Sequence, residues 1–594
     1  MDEAALRKRI EAVRSGALPR REFIAQLAGL GITAPLASLM LTHAGVARAQ
    51  PAFSYKPTKR GGGGVLKLLF WQAPTLLNPH FATGAKDQEA ARVFYEALAR
   101  YDADANLEPL LAAAIPSGAN GGIAPDGRWT IWTLKKGVTW HDGKPFSADD
   151  VIFNWQYATE PAAAAFTSGQ YENVAAIEKI DTHTVRIVFK TPTPLWQRTA
   201  TVLLVPKHHF EGYTGAKSRD APANLAPVGT GPYRFVEFRP GDLLRAQASP
   251  TFREANKPHF DSLEIKGGGD PTSAARAVLQ TGEYDYGWNL QVEDEVLKRL
   301  ESGGKGRIVA SASGDAEIII LNLADPWTET DGERAHPKSH HPVLSQRPVR
   351  QALALLFDRA SVQRYVYGRA GVATANYLNN PTRFNSPNQK SEFSIAKANA
   401  LLDAAGWKRG ADGMREKGGR KFALVFQTSI NPVRQKVQAI FKQACGKAGI
   451  AVELKTVTAS VFFSSDAGNP DTYGKFWADL EMYASAARQP DPDRYMQSWV
   501  SWEASSKANK WLGVNRSRWL NDDYDAAFRA ATGELDPVKR AVRFIRMNDL
   551  VCSDFALIPV VYRPSVHGLA NKLAAPLTGW DLGLAALEDW HRRA

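Results

Sequence analysis

Residues 422–454 leave this chain few ways to fold. Phe422 to Gln427 reads as a strand, and Asn431-Pro432 opens a helix whose apolar positions Val433, Val437, Ile440, Phe441 and Ala444 follow helical spacing. Gly446 to Gly449 ends that helix, and Ile450-Ala451-Val452-Glu453-Leu454 is strand-like again. Strand, helix and strand in so short a stretch predict a parallel strand pair joined by a right-handed crossover, hence an α/β layer. A second helix is predicted over Pro348 to Tyr365, with Val349, Leu353 and Leu356 on one face.

At 594 residues the chain exceeds what one hydrophobic core sustains, so two or more domains are expected. Its first half has a different texture. Pro51 to Gly64 ends in four glycines and reads as a flexible leader, followed by a buried strand, Val65 to Phe70. From about 100 to 240 short β-rich pieces alternate with turn residues. Trp129 to Leu134 runs through Lys135-Lys136-Gly137 into Val138-Thr139-Trp140 and the turn His141-Asp142-Gly143-Lys144-Pro145, a strand-turn-strand-turn pattern that fits a hairpin-bearing subdomain. Ser147 is the expected N-cap of a helix carrying Val151, Phe153 and Trp155. No internal repeat is visible.

The formal charge of +12 is spread along the chain without a basic stripe or reading motif, so nucleic acid is not an expected partner. Cys445 and Cys552 sit in helix-like apolar patterns, outside any CxxC or Cys/His cluster. They could pair in an oxidising compartment; two buried free thiols are the expectation, with no metal site and no cofactor. The aromatic residues (16 Trp, 17 Tyr and 26 Phe) supply surface for cores or for a ligand cleft. The chain has no GxSxG elbow, HExxH helix, phosphate loop ending in GK[ST] or dinucleotide fingerprint, so an exported enzyme is the lesser reading.

The N-terminus reads as an address. Arg20-Arg21-Glu22-Phe23-Ile24 resembles a twin-arginine export signal, followed by a mildly apolar run from Ile24 to Leu41. Ala47-Arg48-Ala49 supplies the small-x-small pattern read by a signal peptidase, so cleavage is expected after Ala49. The mature protein is expected to be soluble and periplasmic; the rival reading is an N-terminal anchor.

Six blocks, in order along the mature chain, carry a family resemblance. They are Leu134 to Val151 (LKKGVTWHDGKPFSADDV), Pro227 to Tyr233 (PVGTGPY), Gly282-Glu-Tyr-Asp285, Val349 to Leu353 with Asp358-Arg359, Lys397 to Trp407, and Asp412-Gly413. Together they resemble the dipeptide/oligopeptide-binding receptors of ABC importers, extracellular solute-binding family 5. The resemblance implies an α/β, two-lobed periplasmic binding protein (type II, cluster C) with an extra β-rich subdomain in lobe one. It places lobe one at 65–315 and 560–594, the extra subdomain near 100–205, and lobe two at 316–559. Gly137, Gly143, Gly229 and Gly231 are expected to permit tight turns or positive φ, and Asp142 and Asp149 to serve as turn and cap residues.

The resemblance further implies a non-enzymatic receptor that closes its lobes around a peptide or peptide-like ligand and delivers it to inner-membrane permease subunits. A monomer is expected. Leu77 to Ala85 resembles the segment that runs beside the ligand, with Thr83, Gly84 and Ala85 against a peptide backbone. Trp71, Trp288, Trp477 and Tyr483 are candidate cleft aromatics, with core packing as the alternative. In Met482 to Asp493 the family's peptide binders place an Asp, for the ligand's ammonium, where this chain has Arg488; Asp491 could substitute or could cap the next turn. Arg488 opens the alternative of an anionic, opine-like ligand. His336, His340 and His341 invite a metal reading, such as a nickel or haem complex receptor, against which a solvated loop is expected.

Overall fold

The computed structural model describes residues 3–14, 17–18, 22–23, 26 and 55–593, apart from 83, 104, 312, 382–383, 464–467, 488, 510 and 512. The twin-arginine pair, most of the apolar run after it and the cleavage pattern therefore lie outside the described residues, as do Thr83 and Arg488. Among the described residues no helix is long and apolar enough to cross a membrane.

The chain forms two compact units: Met1–Val292, Val296–Ala312 and Ser565–Ala594 in unit one, Glu293–Glu295 and Ser313–Pro564 in unit two. In chain order, unit one contains β1 (Val65–Phe70), α1 (Ala85–Ala91), β2 (Trp129–Thr133), α2 (Ala148–Thr159), β3 (Val174–Asp181), β4 (Thr184–Phe189) and α3 (Lys207–Phe210). It continues with β5 (Tyr233–Arg239), β6 (Leu243–Ala248), β7 (Ser262–Gly267), β8 (Tyr286–Gly287) and β9 (Gly306–Ser311). Unit two contributes β10 (Ala316–Leu321), α4 (Arg347–Leu355), β11 (Val372–Ala373), β12 (Ala423–Ser429), α5 (Pro432–Lys447) and β13 (Ala451–Val457). After these come β14 (Leu480–Ser485), α6 (Pro537–Ser553) and β15 (Leu557–Tyr562), and the chain re-enters unit one as β16 (Ser565–Ala570).

Unit one holds a seven-stranded mixed sheet in the order β9-β16-β8-β1-β7-β6-β5, in which β1 runs parallel to both β7 and β8. A separate three-stranded sheet, β2-β4-β3, carries α2 beside it. Ser147 does cap α2: its side chain accepts from the Asp149 N–H, and the Asp150 carboxylate accepts from the Ser147 N–H at 3.0 Å. The turn His141–Pro145 does fold Val138–Trp140 back on Lys144–Phe146, with the Trp140 N–H donating to the Lys144 carbonyl at 2.8 Å and the Phe146 N–H to the Val138 carbonyl at 3.0 Å, while β2 pairs antiparallel with β4. The Pro51–Gly64 leader is not loose from Tyr55 onward. Tyr55 stacks on His591 at 4.1 Å, and the N–H groups of Gly62 and Gly64 donate to the Asp261 carboxylate at 2.7 and 2.9 Å.

Unit two holds a six-stranded sheet, β11-β15-β10-β14-β12-β13. The predicted β-α-β unit is its parallel β12/β13 pair with α5 between them in sequence, opened by an Asn431 cap. β10 is buried along its whole length, and its alternate side chains enter different cores. Ile319 and Leu321 join the cluster around α4 and α5, while Ile318 and Ile320 join the one around α6. The helix predicted over 348–365 is interrupted: α4 stops at Leu355, and Asp358 caps a new turn by accepting from the Ser361 N–H. Cys445 and Cys552 are buried free thiols, both pushed up by desolvation.

Candidate functional site

Unit one seats its candidate residues on β1 and α1. The Trp71 indole follows β1 directly, is half-buried, and donates from Nε1 to the Asn289 carbonyl at 2.9 Å. Its neighbour Trp288 is only 4% exposed, stacks on Phe70 at 5.1 Å and donates to Glu89 Oε1 at 3.2 Å. Trp288 is thus a core residue that backs Trp71 across 6.4 Å. Glu89 is buried as well; desolvation raises its pKa, against the pull of the Gly583 and Leu584 N–H groups at 2.8 and 2.9 Å.

Leu77, Asn78, His80 and Phe81 are buried, so this part of the candidate ligand-side segment is a platform and not a lining. His80 bonds Thr167 Oγ1 and Asn154 Oδ1 at 2.6 and 2.8 Å, and burial pushes it down to about 4. Gly84 and Ala85 emerge half-buried at the start of α1. The Asp87 carboxylate holds that start in place by accepting the N–H groups of Thr75 and Leu76 at 2.6 and 3.2 Å.

Gly229 and Gly231 are needed for a different reason from the one their sequence suggests. Neither has positive φ, whereas Gly137 and Gly143 do, at +74° and +87°. A Cβ on Gly229 would stand 1.8 Å from the Phe94 carbonyl oxygen, so the glycine allows backbone to lie on backbone.

In unit two, β14 brings Tyr483 into the core around α6, 6% exposed. Tyr473 meets it edge-on at 5.4 Å, and the Arg516 guanidinium lies 3.8 Å above the Tyr473 ring. Tyr377, Tyr483, Ser485, Trp499, Arg516 and Ser517 line a cavity of about 30 Å3. At roughly 10–15 Å3 per water, that is room for about two waters beside a cation and several hydroxyls. Tyr483 thus packs in the core, the alternative its sequence left open, and Arg516, Tyr473 and Tyr377 around it come from separate segments with no motif in common. Glu481, on the same strand, is fully buried; desolvation drives its pKa well up, and Oε1 accepts from Gln427 at 2.9 Å.

Trp477 is half-buried between two cations, Arg334 and Lys475, each 4.8 Å from its ring. Asp491 has a partner of its own: its carboxylate is engaged twice by Arg540, once through Nη2 at 3.0 Å, and it accepts the Asp493 N–H at 3.0 Å. That makes it both a turn cap and an internal ion pair. The histidine tract is not the solvated loop expected from sequence. His340 is exposed, but His341 is 1% exposed, with Nε2 bonded to Asp479 at 2.8 Å. The His341 Nδ1 accepts the N–H groups of Val343 and Leu344, so both ring nitrogens are committed and the three histidines do not converge.

Comparison with known proteins gives these faces a context. The family model described as bacterial extracellular solute-binding proteins, family 5 Middle, matches residues 106–507, a span that covers parts of both units. The chain is 27% identical over 393 residues to the oligopeptide-binding protein AppA of Bacillus subtilis, covering 65% of this chain and 67% of that one. To the glutathione-binding protein GsiB of Pectobacterium atrosepticum it is 26% identical over 390 residues, covering 65% and 68%. The crystal structure of NikZ from Campylobacter jejuni in complex with Ni(L-His) is similar in fold, with a TM-score of 0.72 at 23% identity, over 89% of this chain and 99% of that one.

Proposed function

The chain belongs to family 5 of the bacterial extracellular solute-binding proteins, and on that premise we propose that it is the receptor of an ABC importer for a peptide or peptide-like ligand. Its fold is the two-lobed α/β fold of that family's periplasmic binding proteins. The observation that carries the reading is the family match over 106–507. The oligopeptide and glutathione named for AppA and GsiB support a peptide-like ligand.

We assign the ligand contacts to Trp71, Thr83, Gly84 and Ala85 in unit one and to Trp477, Tyr483 and Arg488 in unit two, with capture by lobe closure. Arg516, beside Tyr483, extends the unit-two set. The Arg516 guanidinium there, with Asp491 engaged by Arg540, favours a ligand that offers a carboxylate. Binding, closure and release to the permease involve no covalent step. The protein acts in the periplasm after twin-arginine export and cleavage at Ala49.

The experiment is mass spectrometry of the ligand that co-purifies with the exported protein. A peptide or an acidic peptide-like compound is expected, and a stoichiometric non-peptide ligand refutes the assignment. Arg488→Asp should weaken an anionic ligand by about 2–5 kcal/mol; unchanged affinity removes Arg488 from the site. Replacing Arg20 and Arg21 with lysine should retain the uncleaved precursor in the cytoplasm.

A further inference from the structure

The Asp142 turn and helix α3 bring three metal-binding side chains to one point on unit one. Asp142 Oδ2 meets His208 Nε2 at 2.7 Å and His209 Nε2 at 3.1 Å. One ligand atom from each residue lies within 4.8 Å of the other two. Adjacent residues on a helix point about 100° apart, so two neighbouring histidines do not ordinarily share a target. Here both imidazoles turn to the same oxygen, with ring centroids 4.7 Å apart.

Each side of the cluster is held by its own scaffold. On the acidic side, Asp142 Oδ1 accepts the Lys144 N–H at 3.2 Å, and Gly143 closes the turn by donating to the Trp140 carbonyl at 2.9 Å. The preceding His141 donates its N–H to the Gly229 carbonyl at 2.8 Å, fixing the turn to the glycine loop packed on Phe94. On the histidine side, the Lys207 N–H donates to Asp150 Oδ1 at 3.1 Å, and Phe210 is fully buried. The side chains keep 29% (Asp142), 19% (His208) and 36% (His209) of their surface open, so water can reach the cluster.

A single carboxylate oxygen facing two imidazole nitrogens is a compact N2O donor set. Zinc sites with an open position use two imidazoles and a carboxylate, and nickel and cobalt accept the same donors. Calcium and magnesium prefer oxygen shells, and no thiolate is present to select a softer ion. We propose that Asp142, His208 and His209 form a binding site for a divalent cation of the zinc class, with water completing the shell. The cation takes the place of the two imidazole–carboxylate hydrogen bonds and clamps together segments 66 positions apart in sequence. None of its ligands belongs to the proposed importer-ligand contacts, so this is a resident brace of unit one.

The test titrates Zn2+ alone into the metal-stripped full chain by calorimetry, with no importer ligand added, so its outcome is independent of the proposed transport role. One zinc ion per chain is expected, with a higher thermal midpoint in its presence. Asp142→Ala and His208→Ala should each weaken binding about tenfold or more and abolish the zinc-induced shift in midpoint. Their metal-free midpoints serve as the folding control. Binding should also weaken on acidification, because protons compete with the metal for its ligands. A His336→Gln/His340→Gln variant should bind zinc like the parent. The proposal is overturned if the parent shows no saturable uptake at millimolar zinc, if the Asp142 and His208 variants bind as tightly as the parent, or if binding is lost with His336 and His340 instead.

Discussion

Replacing Asp491 with alanine separates a structural role from a ligand-binding one at the position where the sequence left both open. The Arg540 side chain is 6% exposed and that of Asp491 13%. The guanidinium has few other acceptors: Nε donates to the Ala531 carbonyl at 2.9 Å, and Asp493 Oδ1 lies 3.9 Å from Nη2. Removing one partner of a buried pair costs about 3–5 kcal/mol, because the other charge stays desolvated. Asp493 retains part of the attraction, which points to about 3 kcal/mol, and the lost bond to the Asp493 N–H adds about 1 kcal/mol. Urea unfolding followed by tryptophan fluorescence should therefore show the unit-two transition destabilised by about 4 kcal/mol, with little change on adding salt. The double variant Asp491→Leu/Arg540→Met should recover only part of that loss, since the guanidinium leaves with its carboxylate but Asp493 loses its cation 3.9 Å away. An Asp491→Ala protein that unfolds like the parent but loses ligand affinity would refute the ion-pair reasoning and make Asp491 a ligand acceptor.

Other perturbations follow from the same geometry. Gly229→Ala sets a methyl 1.8 Å from the Phe94 oxygen, while the Gly231 N–H ties the same loop to that oxygen at 2.8 Å. It should cost about 3 kcal/mol or more in chemical denaturation, and a parental midpoint would contradict the close approach. His80, His141 and His567, all in unit one, are held down at about 4 by burial, against an ordinary 6.5. The unfolded chain therefore takes up protons near pH 6.5 that the folded chain refuses until about pH 4. Stability of unit one should accordingly fall with decreasing pH across that window, at up to about 1.4 kcal/mol per pH unit for each histidine. Urea midpoints that stay level from pH 7 to pH 4.5 would contradict this.

What the sequence made legible was local. The β12-α5-β13 unit, the Ser147 cap and the strand β1 (though its Val65 and Lys67 are exposed) each depend on residues within one or two turns of each other, where period and cap chemistry suffice. The failures share one cause: partners distant in sequence. The mate of β2 is β4, whose residues lie more than 50 positions further along the chain and carry no local signal of the pairing. His341 left the surface because Asp479, 138 positions on, receives it. Asp491 is satisfied by Arg540, 49 positions on. Gly229 looked like a turn glycine because the Phe94 backbone that demands it lies in another segment. Arg516 carried no local signal, since its setting of tyrosines is assembled by three separate stretches of chain.

The position of β16 in the unit-one sheet sets an order on biosynthesis. β16 lies between β9 and β8, with Ser565 opposite Ser311, yet it is made only after the whole of unit two has been translated. Until then β8 and β9 lack their common neighbour, and the first unit begun is the last completed. Because Ser311 and Ser565 are neighbours across the ladder, and Ala316 and Tyr562 likewise, the Ser313–Pro564 stretch enters and leaves through adjacent strands. Apart from Glu293–Glu295, unit two is therefore one continuous stretch set into the unit-one chain, and a short turn from β9 to β16 would rejoin that chain without breaking a unit-one strand pair.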